Sequence, residues 1–319
     1  MKVWFILPVV AFSMMRGNPV QANGITCGLR MIFRPESEPL VIEPLPLPPD
    51  HEVKPGDPYD PVGLMPVGSH RGVPIDTHRK RPSKIIYEDD HEILVANFRH
   101  DNEFHQAHIS KQGVQDVYFR INRFPGPAGM TPAHTLFYFR MKPGSEVLLE
   151  GVRNIPDLSN PTRVSDFVVS ADYAAPRGVM YELLKSMQPE YMSVIDLSSS
   201  TDYAARGEDP NFALQYVKFT VSDDVKNRVL SSAIHMSDKR GLSYVYNLMN
   251  LNCTTEAFRI LDDSIVYPKP VKRFKQSIFS LKDPVAGPSI KALFERGVIH
   301  KSEDGSIPSI WVPYGHSLP

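Results

Sequence analysis

A cysteine and a histidine carry the chemistry that this sequence offers most plainly. Cys253 lies in the run Tyr244-Val-Tyr-Asn-Leu-Met-Asn-Leu-Asn-Cys-Thr-Thr-Glu-Ala-Phe-Arg-Ile-Leu-Asp262, directly after Asn252 and at the head of an amphipathic pattern. Glu256 stands three residues on, where it would complete a capping arrangement. A thiol at a helix start faces unpaired backbone N–H groups and the positive end of the helix dipole, both of which favour thiolate. A thiolate nucleophile needs an imidazole to take and return its proton. Among eleven histidines, His134 heads a strand-like run after Pro132 and Ala133, apart from the others. Two further readings of Cys253 stay open: a small core cysteine in a first helical turn, or a disulfide to Cys27, the other cysteine of the chain.

His91, His100, His105 and His108 crowd into one polar stretch. Their spacing lacks a carboxylate at helical distance, which is weak for zinc, so neither metal nor cofactor is expected. The formal net charge of -1 argues against a nucleic-acid partner, because phosphate contacts demand clustered basic residues.

The elements that must position the pair are legible from periodicity. Residues 92–98, 116–122, 134–140, 146–150 and 214–220 alternate β-branched or aromatic with polar residues and read as strands. Lys142-Pro143-Gly144-Ser145 is a tight-turn sequence, which predicts a hairpin between the strand of His134 and 146–150. Helices are expected from Pro176 through Met187, from Ser222-Asp223-Asp224 to Gly241, from Cys253 onward, and from Pro288 to Gly297. The class is α+β, an antiparallel sheet packed with helices.

The first 22 residues read as a secretory signal peptide: Lys2, an apolar run from Val3 to Met15, then Val20 and Ala22 before the cut. That run is shorter than the roughly 20 apolar residues a bilayer span needs, and no later stretch is better, so a mature chain without transmembrane segment is expected in the periplasm or medium. Thirty prolines against 19 glycines, many of them before Pro66, make 23–83 an extended proline-rich arm. One domain, 84–319, remains; with the chain 42% hydrophobic and 22% charged, it has the make-up of a globular protein with a sizeable core.

Three stretches resemble the Lnb-type N-terminal periplasmic domains of the papain-like superfamily, which includes NlpC-type peptidases and lecithin–retinol acyltransferases. They are Pro132-Ala-His-Thr-Leu-Phe-Tyr-Phe139, Ala213-Leu-Gln-Tyr-Val-Lys-Phe-Thr-Val-Ser-Asp-Asp224 and Tyr244 to Asp262, with Ala133 standing where the family has glycine. In its permuted members histidine precedes cysteine. The resemblance implies a permuted papain-like (NlpC-like) fold, Cys253 as nucleophile at a helix N-terminus, and His134 as base. A third group should orient the imidazole; the predicted hairpin selects Asn154, with Glu150 behind it. The backbone N–H of Cys253, helped by Asn252 or Tyr244, would form the oxyanion hole.

The expected function is a Cys–His hydrolase or acyltransferase that attacks an amide or ester of the cell envelope, either a peptidoglycan peptide or a lipid or lipoprotein acyl group. The alternative is a binding or scaffolding domain that keeps the fold without turnover.

Overall fold

A computed structural model describes residues 64–123, 132–151, 161–183, 185–205, 213–275, 285–303 and 305–313. The expected leader, most of the expected arm, Cys27 and Asn154 lie outside them. The class is α+β: one large sheet with few helices, in which twelve strands are described. In chain order these are β1 (Lys84–Glu88), β2 (Glu92–His100), β3 (Glu103–Ser110), β4 (Val114–Arg123), β5 (Ala133–Met141), β6 (Val147–Glu150), β7 (Thr162–Val164), β8 (Asp166–Ala174), β9 (Met192–Ser199), β10 (Ala213–Lys218), β11 (Tyr244–Val245) and β12 (Ser309–Pro313). The helices are α1 (Ser200–Ala205), α2 (Asp223–Arg240), α3 (Cys253–Ser264) and α4 (Ala286–Glu295).

The main path runs β12-β10-β4-β5-β8-β9-β2-β3-β6-β7. It is mixed rather than antiparallel, because β2 meets β9 in parallel through Phe98↔Leu197 and Arg99↔Ser198. A kink in β2 makes this possible. Its first half pairs with β1, the β2–β3 register slips between Val95 and Phe98, and Asn97 takes φ 67°, a left-handed conformation that asparagine tolerates better than most residues.

Strand alternation sorts the sheet into two apolar faces. Phe137, Phe139, Phe119 and Phe167 join Val229, Ile234, Phe258, Leu261 and Leu293 in the main core, so α2, α3 and α4 cover that face. Leu136, Tyr138, Tyr118, Val168, Tyr216 and Tyr203 form a second cluster on the other face, under α1. α2 begins and ends where its residues direct: Ser222 Oγ accepts from the Val225 N–H, and Gly241, at φ 51°, closes the end. No helix among the described residues is long and apolar enough to cross a membrane.

Three expectations are corrected. The Lys142–Ser145 turn forms, with Gly144 at φ 83° and Ser145 N–H donating to Lys142 O, but it sends the chain away from β5. Both edges of β5 are already occupied, by β4 and β8, so β6 pairs with β3 and β7 instead. Residues 176–187 are not a helix beyond a 3₁₀ turn at Lys185–Met187. Their start is held instead by the preceding segment, through Asp76 N–H to Ala175 O and Arg177 N–H to Pro74 O, and Gly178 adopts φ 75°. Residues 64–83 of the arm are correspondingly part of the packed structure. Met65 and Ile75 are buried with Ala174, Met192, Val194 and Val245, and Ser83 N–H donates to Ser237 Oγ at 2.7 Å.

Candidate active site

The β5–β8 ladder runs from Arg140↔Asp166 to Phe137↔Val169 and stops short of His134, while β4 continues to pair with β5 through Asn122↔His134 and Arg123↔Ala133. The first turn of α3 meets β5 at this opening: Thr135 Oγ1 donates to Thr254 Oγ1 at 3.1 Å. Asn252 fixes the turn. Its Oδ1 accepts from the N–H of Thr254 and Thr255 at 2.9 and 3.0 Å, Thr255 Oγ1 accepts from the Asn252 N–H, and Asn252 Nδ2 donates to Leu248 O. The capping box therefore uses Thr255, not Glu256. Both ends of the Asn252 amide are committed to this geometry, so its structural place is that of a cap, and the Cys253 N–H is the donor that the cap leaves unused.

Cys253, 7% exposed, has no disulfide partner among the described residues, and the structure brings His134 within hydrogen-bonding reach of it. Burial pushes the thiol up. The charge and hydrogen bond of His134, the Thr135 backbone N–H and the Thr254 hydroxyl outweigh burial and hold it below the ordinary thiol range. The other side of the imidazole is held by β8. His134 Nε2 lies 2.8 Å from Ser170 Oγ, and Asp172, two residues further along the same strand face, interacts with the imidazole's charge. Burial opposes ionisation of Asp172, but Lys80, His134 and the Tyr173 N–H keep its carboxyl below the usual carboxylate range. Lys80 Nζ is 2.7 Å from Asp172 Oδ2 and 4.1 Å from the centre of the Tyr173 ring.

Aromatic rings line the remaining side. Tyr173 stacks on Tyr181 at 4.1 Å and meets Tyr191 and Tyr246 edge-on at 5.7 and 6.2 Å. Burial pushes the Tyr181 phenol up to about 12, with the charges of Cys253 and Asp172 adding to it. Burial and the charge of Cys253 raise Tyr246 further. Both hydroxyls therefore stay protonated beside the thiol and able to donate.

Of the residues selected from the sequence, Cys253, His134 and Asn252 come together. Tyr244 does not join them: its ring lies under the Arg240 guanidinium at 4.8 Å, and Tyr246, two positions on, is the tyrosine whose charge couples to Cys253. Asn154 lies outside the described residues, and the hairpin that selected it does not form. Glu150 is on β6, bonded to His108 at 2.7 Å, in another part of the sheet. Sequence reasoning missed Ser170, Asp172, Lys80, Tyr181 and Tyr246. The signal for the first two was present: Asp166-Phe-Val-Val-Ser-Ala-Asp172 alternates with period two and sets Ser170 and Asp172 on one face.

The histidine-rich stretch is satisfied by protein groups. His100 Nδ1 lies 2.8 Å from Ser199 Oγ, His105 pairs with Gly151 O, and His108 stands between Glu92 and Glu150. Among the described residues no three metal-binding side chains converge. No family model, curated protein or solved structure matches this chain.

Proposed function

We propose that the chain is a thiol hydrolase or acyltransferase of the permuted papain-like type, exported to the cell envelope, in which Cys253 attacks an amide or ester carbonyl. The observation that carries this reading is the Cys253–His134 contact at a helix start, with the thiol held below its ordinary range against the pull of its own burial. The order of histidine before cysteine and the packing of α3 on β5 and β8 agree with the permuted arrangement, and the leader-like first 22 residues support export.

In the proposed cycle Cys253 Sγ gives its proton to His134; with Nε2 engaged by Ser170, Nδ1 is the acceptor. The sulfur forms a bond to the carbonyl carbon, and the π pair moves onto oxygen. The Cys253 N–H, which the Asn252 cap does not engage, is the donor proposed for that oxyanion. Collapse expels the leaving amine or alkoxide, which takes the proton from the imidazolium, and a thioester remains. Water or an amine, deprotonated by His134, then attacks the thioester and restores the thiol. Ser170 and Asp172 orient the ring and stabilise its charged form, in place of Asn154 or Glu150.

The test is a covalent one. Incubated with an activated acyl ester, the full chain should gain one acyl mass on Cys253, and hydroxylamine should remove it; Cys253→Ser and His134→Ala should gain none. Wild-type chain that stays unmodified while the ester remains intact would overturn the reading. A second reading, a binding domain that keeps the fold without turnover, draws support from the thiol's 7% exposure. It predicts that iodoacetamide labels Cys253 no faster than an unperturbed thiol.

A further inference from the structure

A second polar cluster is built on α3, beyond the thiol. Glu256 is fully buried and its two oxygens are divided between two cations, Oε2 to Arg240 and Oε1 to Arg259. Arg240 comes from the end of α2 and lies over the Tyr244 ring at 4.8 Å. Arg259 Nη2 donates to Asn250 O at 3.4 Å. Arg273, exposed in the segment after α3, is near enough for its charge to act on both. Asp263, on the same helix, adds a second carboxylate, so three guanidiniums stand against two carboxylates.

The donors exceed the acceptors. Two guanidiniums carry many more N–H groups than one carboxylate and one carbonyl can accept, and Arg259 Nε is buried with no acceptor among the described residues. Burial and the charges of neighbouring arginines bring Arg240 and Arg259 down to about 10, against the pull of Tyr244 and Asp263. A cationic cluster in that state gains from an added anion. Entry is open, since the side chains of Arg240 and Arg259 retain 15% and 13% exposure.

We propose that Arg240, Arg259 and Arg273, walled by the Tyr244 ring, form a binding site for a phosphate-type oxyanion, either free or as the headgroup of a lipid. Guanidiniums suit this ligand because their planar fork meets two oxygens at once. Arg259 is about 9 Å along the helix axis from Cys253, at 1.5 Å per residue, so the site neighbours the thiol without overlapping it. The inference does not depend on the thiol chemistry.

The experiment is calorimetric titration of inorganic phosphate into the full chain, in chloride buffer of matched ionic strength. One phosphate should bind per chain, at least ~10-fold more weakly in Arg273→Ala and more weakly still in Arg273→Glu, with circular dichroism unchanged. Cys253→Ser should bind as the wild type does, which separates this site from the thiol reading. Absence of phosphate binding in the wild-type chain, or equal binding by Arg273→Glu, would overturn the proposal. Vesicles of phosphatidylcholine with and without phosphatidic acid then decide the source. Cosedimentation that needs phosphatidic acid and is competed by free phosphate assigns a lipid headgroup, whereas phosphate binding without cosedimentation assigns a free oxyanion.

Discussion

His134 and His108 are both half-buried strand histidines held by polar partners, yet they are fitted for different work. His108 stands between two carboxylates, Glu92 at 3.3 Å and Glu150 at 2.7 Å, so both of its ring nitrogens are taken up by protein partners. His134 has a weak partner, the Ser170 hydroxyl, a carboxylate at one remove, and a thiol that can itself ionise. A pair of groups that exchange one proton between them is what nucleophilic catalysis needs. Crowding of histidines in sequence points to the first situation, not the second.

The comparison breaks most visibly at His134 itself. His134→Ala should lower turnover of an acyl ester by roughly 10³-fold or more. It should also reverse the sign of the thiol's shift. With the imidazole gone, burial dominates, and the midpoint of iodoacetamide alkylation should move from below the unperturbed value of about 8.5 to above it. A midpoint that stays low in this variant would show that the helix start alone activates the thiol.

Asp172→Asn should cost roughly 10–10²-fold in turnover. The carboxylate stabilises the imidazolium, so its loss should move the alkaline limb of the kcat/KM profile to lower pH. Stability carries the same signature. The Asp172 carboxyl is held below its ordinary range, so its contribution is complete above the unfolded carboxyl's pKa of about 4 and is lost as pH falls through the lower folded value. Asp172→Asn should therefore lose its deficit against the wild type as urea denaturation is repeated at progressively more acid pH.

Ser170→Ala should be milder, with turnover reduced less than about tenfold because one neutral hydrogen bond orients the ring. Smallest of all, His108→Asn should leave turnover unchanged while lowering stability by about 1–2 kcal/mol, through the loss of its bond to the buried Glu150. A large fall in turnover for His108→Asn would place catalysis in the wrong part of the sheet.

What the sequence disclosed follows the range of the forces involved. α2 was legible from Ser222 to Gly241 because its cap, its acidic first turn and its closing glycine are local. α3 was legible for the same reason, although Thr255 rather than Glu256 completes the box: a side chain three residues past the N-cap competed with one four past it, and Glu256 was drawn away by Arg259 in its own helix and by Arg240 at the end of α2. Strand partners were not legible. Lys142–Ser145 specifies a turn but not which edge the returning chain will meet, and the free edge of β5 is taken by β8. The apolar spacing of Val179, Leu183 and Met187 suits a helix, yet pairing of residues 175–177 with 74–76 overrode it at its start. That error concealed Ser170 and Asp172, because an orienting residue is found by knowing which strand lies beside the histidine.

The parallel contact between β2 and β9 has a consequence for how the chain reaches its native state. Phe98 must find Leu197, and Thr135 must find Thr254 across 119 positions, before either contact returns any stabilisation against the entropy of closing so long a loop. Sheets dominated by such distant pairings fold slowly, in milliseconds to seconds or longer. Cys253 and His134 belong to elements far apart in the chain, so the thiol gains its imidazole only once α3 has packed on β5. Until those elements meet, it is a cysteine without that imidazole beside it.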